Sequence, residues 1–371
     1  MKFSCTQQAL AKAFNTVSKA VTGRTTVPIL KGILLKTTNE GKLILSATDL
    51  DLSIEKTIDV DVYEAGTIVV YAKLFGDIVR KLPNEVVTVE VKDNGNVILK
   101  TLNSEFSIIG MPADEFPSIG EIETIVGEFS LDREAFKNMI RRTYFCASTD
   151  EARGIVVGIL LSLQGNDLTM VALDGFRMAV AREAIGTGEE RNIIISGKIL
   201  FEILKLLSEV EEDLPLTFTL GDKKAIMILG STKVILRLMD GEFIAYQDLL
   251  PKTSNTEMIV ERSTLLTAIE RASLLAKEGK NNLIRCTIKN NLLCITSASE
   301  EGQVKEELIM EKTGEDLEIG FNSKYVIDVL KAVDEDQVKF QLNTSITPCI
   351  IRPMNGDAFE YLVLPVRLPS N

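Results

Sequence analysis

The chain has 371 residues, enough for two or three domains of ordinary size. At 45% hydrophobic and 25% charged it can bury real cores, so it is no disordered tail. It contains neither histidine nor tryptophan, which excludes Ser-His-Asp and Cys-His nucleophiles, an imidazole base and His-ligated zinc. A formal charge of −12 argues against simple coating of nucleic acid, although an average can hide a basic patch.

In chain order, Phe3 leads into an amphipathic helix over 6–21, with Leu10, Ala13 and Val17 on one face. Strands are expected at 29–36, 43–47, 51–60 and 66–71, followed by a helix over 72–82. A further strand over 86–91, an Asn94-Gly95 hairpin turn and strands over 97–101 and 106–111 close the first unit. The same order returns with helices over 132–147 and 197–210 and a strand over 168–174. It returns again with helices over 261–276 and 323–333, a strand over 293–299 and a final strand over 361–366.

The recurrence is periodic. Lys73, Lys198 and Lys324, each in the first turn of a helix, are 125 and 126 residues apart, and Leu43, Leu168 and Leu293 are spaced by 125. This reads as three similar α+β domains, 1–125, 126–252 and 253–371, each with two helices on antiparallel sheets. Pro117, Gly120, Pro251 and Ser254 interrupt the pattern near the boundaries. Alternation at Val87, Val89 and Val91 buries one sheet face under the helices.

Charge is segregated. The six predicted helices hold 15 basic and 8 acidic residues, net +7, which leaves −19 on the rest of the chain. A basic helical surface suits a polyanion. The five cysteines, Cys5, Cys146, Cys286, Cys294 and Cys349, form no C-x-x-C pair and read as buried reduced thiols. With a polar N-terminus and no apolar run near the roughly 20 residues of a membrane span, the expectation is a cytoplasmic protein.

Catalytic motifs are scarce. No phosphate-binding loop is present, and Gly186-Thr187-Gly188 lacks the third glycine of a dinucleotide loop. Asp49 with Asp51, or Asp59, Asp61 and Glu64, could seed a metal site, but further ligands and the glycine spacing are missing. The expectation is no enzyme, cofactor or metal. A metal-assisted, carboxylate-dependent hydrolase and a repeat scaffold that binds only proteins are the alternatives.

Several short stretches carry a resemblance over the whole length. They are Met1-Lys2-Phe3, Val27-Pro28-Ile29-Leu30, Ala47-Thr48-Asp49-Leu50, Ala172-Leu173-Asp174-Gly175-Phe176-Arg177 and Asp240-Gly241-Glu242-Phe243. Ile319-Gly320-Phe321-Asn322 and Leu364-Pro365-Val366-Arg367-Leu368 complete the set. In this order and spacing the chain resembles the bacterial sliding clamps, the beta subunits of replicative DNA polymerase. The resemblance implies a head-to-tail homodimer, a ring of six domains around duplex DNA held without sequence preference. Twelve helices spaced about 8–10 Å apart would leave an opening of about 20–28 Å.

The resemblance also implies sites and partners. It puts Arg24, Arg80, Arg153 and Lys198 beside DNA, and the helix charges add Lys12, Lys73, Arg141 and Arg142. Phe106 and Ile108 of one chain are expected to meet Leu274 and Leu275 of the other. A groove for peptides of the polymerase, the clamp loader and other clamp-binding proteins takes Val156, Leu173, Gly175, Phe176, Arg177, Met178, Ile244 and Leu249. From the last domain it takes Asn322, Tyr325, Pro348, Val363, Leu364, Pro365, Val366 and Arg367, with the two arginines holding polar or acidic peptide groups. The chain departs from the family at Gly154 and Ile155, where tyrosines are common, and at Phe176, Ile244 and Asp248, which replace a histidine, a proline and an arginine. The groove is therefore expected to be more apolar and less basic.

Overall fold

The computed structural model describes residues 1–23, 25–210 and 214–368, apart from the side chains of Thr187, Glu189 and Lys280. In the first repeat β1 (Lys2–Thr6) leads into α1 (Gln7–Val17). Then come β2 (Gly32–Thr37), β3 (Lys42–Thr48), β4 (Leu52–Asp59), β5 (Asp61–Glu64) and β6 (Gly66–Tyr71). After α2 (Ala72–Lys81) follow β7 (Val86–Val91), β8 (Asn96–Lys100) and β9 (Glu105–Met111).

The second repeat has β10 (Gly127–Leu131), α3 (Arg133–Thr143), the long hairpin β11 (Gly158–Leu173) and β12 (Arg177–Ser196), and α4 (Gly197–Glu209). It ends with β13 (Leu216–Leu220), β14 (Lys224–Leu229) and β15 (Thr232–Arg237). The third has β16 (Thr256–Glu261), α5 (Arg262–Ala276), β17 (Leu283–Lys289), β18 (Leu292–Ser299), β19 (Gly302–Ile309), β20 (Glu311–Gly314) and β21 (Leu317–Asn322). It closes with α6 (Ser323–Ala332), β22 (Gln337–Leu342), β23 (Cys349–Arg352) and β24 (Phe359–Val363).

All six helices stand where the periodicity puts them, and the period is visible in the strands. β4, β12 and β19 begin at Leu52, Arg177 and Gly302, 125 residues apart each time. The first helices are capped from the side chain: Thr6 Oγ1 accepts from Ala9 N at 3.3 Å, and Glu261 accepts from Ser263 N and Thr264 N at 3.1 and 2.7 Å. The hydroxyls of Ser263 and Thr264, and after them those two amides, hold the Glu261 carboxyl down at about 2.

Two expected strands differ. The stretch 29–36 starts as a 3-10 turn, Pro28–Lys31, because Pro28 fixes φ and donates no hydrogen bond, so the strand begins only at Gly32. The closing strand ends at Val363 rather than Val366, since Leu364 N turns to Phe176 O and Pro365 has no N–H for a ladder.

The chain divides into two compact units. One, residues 1–134 with 201–238, holds an antiparallel 13-stranded sheet in the order β10-β13-β14-β15-β4-β3-β2-β6-β9-β8-β7-β1-β5. The other, residues 135–200 with 239–371, holds a seven-stranded sheet, β11-β12-β24-β23-β22-β16-β20, and a four-stranded sheet, β19-β18-β17-β21. The second and third repeats thus lend their last strand to the strand that follows the turn of the repeat before. β15 pairs with β4 from Thr232↔Lys56 to Leu236↔Leu52, and β24 pairs with β12 from Phe359↔Ala181 to Val363↔Arg177.

The cysteines are free thiols, and four are buried. Burial pushes Cys5 and Cys286 up to about 12, so they pack as small apolar groups. Among the described residues, no helix is long and apolar enough to cross a membrane, and no three acidic or cysteine side chains gather to hold a metal.

Candidate functional site

The site starts at the turn between β11 and β12. Asp174 Oδ1 accepts from Phe176 N at 2.9 Å and Arg177 N at 3.0 Å, which fixes the reversal. Gly175 sits inside it at φ 85°, and a Cβ there would lie 2.9 Å from Arg153 Nη2. The same turn recurs between β3 and β4, where Asp49 Oδ1 accepts from Asp51 N and Leu52 N at 3.1 and 2.7 Å.

Beneath the turn lies a buried apolar cluster that includes Val156, Leu160, Leu173, Met178, Tyr246, Ile350 and Leu362, with Leu364 packed partly against it. Large apolar side chains stay in solvent close by in sequence: Phe176 is 52% exposed, and Ile244 and Leu249 are exposed too. Val363 is wholly buried and belongs to the core, while Pro348, Pro365 and Val366 are half-buried and Arg367 is exposed. Past β24 the chain is tied down at two points, Leu364 N to Phe176 O at 2.9 Å and Val366 N to Gly320 O at 2.8 Å. Gly320 makes the second possible, since a Cβ there would lie 2.6 Å from Val366 O. Asn322 caps α6 by accepting from Lys324 N at 3.0 Å, which sets Tyr325 in the first turn.

Arg177 departs from expectation. It is buried, with Nε 3.0 Å from Asp174 Oδ2, Nη1 2.6 Å from Asp328 Oδ2, and Nη2 donating to Phe145 O at 2.7 Å. Its guanidinium lies 4.5 Å from the centroid of Tyr325 and 5.5 Å from that of Phe145. A cation so matched cross-links the β11–β12 turn to α6. Arg153, expected beside DNA, reaches the β11–β12 turn: Nη1 donates to Asp174 O at 2.6 Å and the guanidinium lies 5.9 Å from the Phe176 ring. Asp328 and Tyr246 escaped the sequence reading. Asp328 lies one helical turn from Tyr325, a spacing that marks a shared face without naming its partner.

The other basic residues divide. Lys12, Lys73 and Lys198 are exposed, and Arg80 is exposed with an ion pair to Asp77 at 2.7 Å and its guanidinium 5.6 Å from Phe14. Arg141 and Arg142 are half-buried. Arg141 holds Asp334 with two hydrogen bonds and keeps that carboxyl below its ordinary range, and Arg142 faces Glu335 at 4.0 Å and the Phe359 ring at 5.4 Å. Their charge is matched inside the protein. Arg24 lies outside the described residues.

Of the expected contact residues for a second chain, Phe106 and Leu274 are exposed and Leu275 is half-buried. Ile108 is 8% exposed in the chain, whereas its neighbour Ile109 is 76% exposed. Strand alternation turns Ile108 into the core and leaves Ile109 outside.

Three family models match in sequence: the N-terminal domain of the DNA polymerase III beta subunit over residues 1–120, its central domain over 130–244, and its C-terminal domain over 247–367. The chain belongs to the DNA polymerase III beta subunit family. It is 33% identical to the beta sliding clamp of Staphylococcus aureus over 99% of both chains. The DNA polymerase sliding clamp of Bacillus subtilis superposes with a TM-score of 0.94 at 32% identity over all of both chains. A sliding clamp of Pseudomonas aeruginosa bound to griselimycin superposes at 0.93 with 30% identity, over 99% of this chain and 100% of that one. The three-domain α+β architecture is that of the beta subunits, and the hydrolase and protein-only scaffold readings find no support in this family.

Proposed function

We propose that two copies of this chain close head to tail around duplex DNA, and that the ring recruits the replicative polymerase, the clamp loader and other proteins through the groove at Asp174–Arg177. The observation that carries this reading is the set of unsatisfied strand edges. Within the chain, β15 binds β4 and β24 binds β12, in each case the last strand of one repeat on the strand after the turn of the repeat before it. By the same rule β9 and β19 need partners. β9 pairs with β6 only at Gly110 and Met111, which leaves 105–109 open on that side, and β19 is the outer strand of its sheet. A long open edge invites pairing, and joining β9 of one copy to β19 of the other, twice, makes a closed two-fold assembly. Ile109 and Phe106 on one side, and Leu274, Leu275 and Ile309 on the other, supply its apolar contacts.

A closed ring holds DNA by topology, so it needs only weak, salt-sensitive attraction from a few cations. Lys12, Lys73, Lys198, Arg80 and Arg24 are assigned to that role, while Arg141 and Arg142 are engaged by acidic groups within the protein and Arg153 by the Asp174 carbonyl. The molecule acts as a processivity factor with no reaction of its own. A family member bound to griselimycin supports a ligand-accepting groove, and the domain limits 1–125, 126–252 and 253–371 remain our assignment. Sedimentation equilibrium tests closure: the wild type should run at twice the 40.9 kDa chain mass. Ile109→Asp, or Leu274→Ala with Leu275→Ala, should give monomers, and an equally tight dimer in all three would overturn the edge assignment.

A further inference from the structure

The two strand joins inside the chain fix the register of the join between chains. One point on the closing strand recurs in every repeat, where it meets the residue four positions before the helix lysine. Val69 pairs with Met111, Met239 N donates to Ile194 O at 2.8 Å, and Gly320 pairs with Val366. Three residues before that point, Leu236 stands opposite Leu52 and Val363 opposite Arg177. Leu52, Arg177 and Gly302 are the first residues of β4, β12 and β19. Both joins therefore place Ile108 of one copy opposite Gly302 of the other, with Phe106 opposite Val304 and Glu105 opposite Lys305. The backbone bonds agree. Arg237 N donates to Asp51 O at 2.8 Å and Leu364 N to Phe176 O at 2.9 Å, which translates to Ile109 N and Glu301 O. At the other end Thr57 N donates to Ser231 O at 3.0 Å and Arg182 N to Ala358 O at 2.9 Å, which translates to Glu307 N and Asn103 O.

Pleating supports the same register independently. Phe106 and Ile108 stand opposite the buried Leu99 and Val97, on the core face of β9. Val304 and Leu308 point inward on β19, while Gln303, Lys305 and Glu307 are exposed. A slip of one residue would set inward side chains against outward ones. On the solvent face the charges alternate across the join. Lys100 lies 3.4 Å from Glu105 in one copy, and Lys305 lies 2.7 Å from Glu307 in the other. Opposite charges directly across a strand pair attract and like charges repel.

We infer that the Glu105–Lys305 pair selects the partner: the open edges accept a second copy of this chain and reject a chain of the same fold whose two charges are exchanged. This rests on the head-to-tail reading above. The pair occurs at both joins of a two-fold ring, so every mismatch counts twice. Glu105→Lys and Lys305→Glu should each weaken the dimer by about 5- to 100-fold in sedimentation, and the double variant should regain most of the loss. Mixed with the wild type and told apart by a heavy-isotope label in native mass spectrometry, the double variant should form its own dimers and few mixed ones. Register has a separate readout. Oxidation should give a covalent dimer with Ser107→Cys and Gln303→Cys together, and far less with Ser107→Cys and Lys305→Cys; the reverse order overturns the register. A tight wild-type dimer that is indifferent to both charge reversals and mixes freely with the double variant overturns the inference alone. A wild-type chain that sediments as a monomer overturns the head-to-tail reading and the inference with it.

Discussion

The turns at Asp49–Leu52 and Asp174–Arg177 share one backbone design and differ in everything around it. Each places a carboxylate oxygen on two successive amides, and each puts its second residue at positive φ, Leu50 at 80° and Gly175 at 85°. After the first turn, Asp51 meets Arg237 at 3.3 Å with both side chains in solvent, and Leu50 is 59% exposed. After the second, Arg177 is buried among two carboxylates, a carbonyl and two rings. The aspartate makes the turn; the residues after it decide whether it becomes a junction and a site. Solvent screens the first ion pair, whereas the second must be complete because its groups are largely out of water.

The largest expected contrast is therefore between two arginines. Arg177→Ala should destabilise the protein by about 3–5 kcal/mol, because it leaves Asp174 and Asp328 without their cation. Arg237→Ala should cost less than about 1 kcal/mol. Urea unfolding of both variants measures the difference, and equal losses would show that burial does not set the two ion pairs apart. Next come the positive-φ residues. Gly175→Ala should cost about 1–3 kcal/mol, since the added Cβ meets Arg153 and the backbone is unfavourable for it. Leu50→Gly should do the opposite and raise stability by about 0.5–1 kcal/mol, relief of strain exceeding the added chain entropy. A loss on Leu50→Gly would show that its exposed side chain makes a contact worth more than the strain.

The smallest expected effect separates the helix caps of the first and third repeats. Thr6 is uncharged, whereas Glu261 has its carboxyl held at about 2. A depressed carboxyl stabilises the fold fully above its unfolded value of about 4.3, and this support fades as pH falls toward about 2. Glu261→Gln should cost about 0.5–1 kcal/mol at pH 7. It should also flatten the acid limb of the stability profile between about pH 4 and 2, whereas Thr6→Ala should shift the profile without changing its shape. An unchanged acid limb in Glu261→Gln would place that titration elsewhere.

The helices and most strands were legible because their evidence is local. Alternation over 86–91 sets that strand to the residue, and the lysine spacing carries the repeat. What could not be read is what depends on distant partners. Arg141 on α3 finds Asp334 and Arg177 at the start of β12 finds Asp328, 193 and 151 residues away, so the first reads in sequence as a DNA contact and the second as a ligand receptor. Ile108 and Ile109 are both isoleucine, and composition cannot say which one alternation turns outward. Pro28 and Pro365 do carry local signals, against a strand over all of 29–36 and against one reaching Val366.

A sliding clamp holds DNA by encircling it. The direct measurement is retention on a nicked circular plasmid after loading by the cognate clamp loader, followed by gel filtration before and after the plasmid is cut. The ring should stay with the circle and be lost once the DNA is linear. Equal retention on linear DNA, or no retention on the circle at low salt, would contradict encirclement.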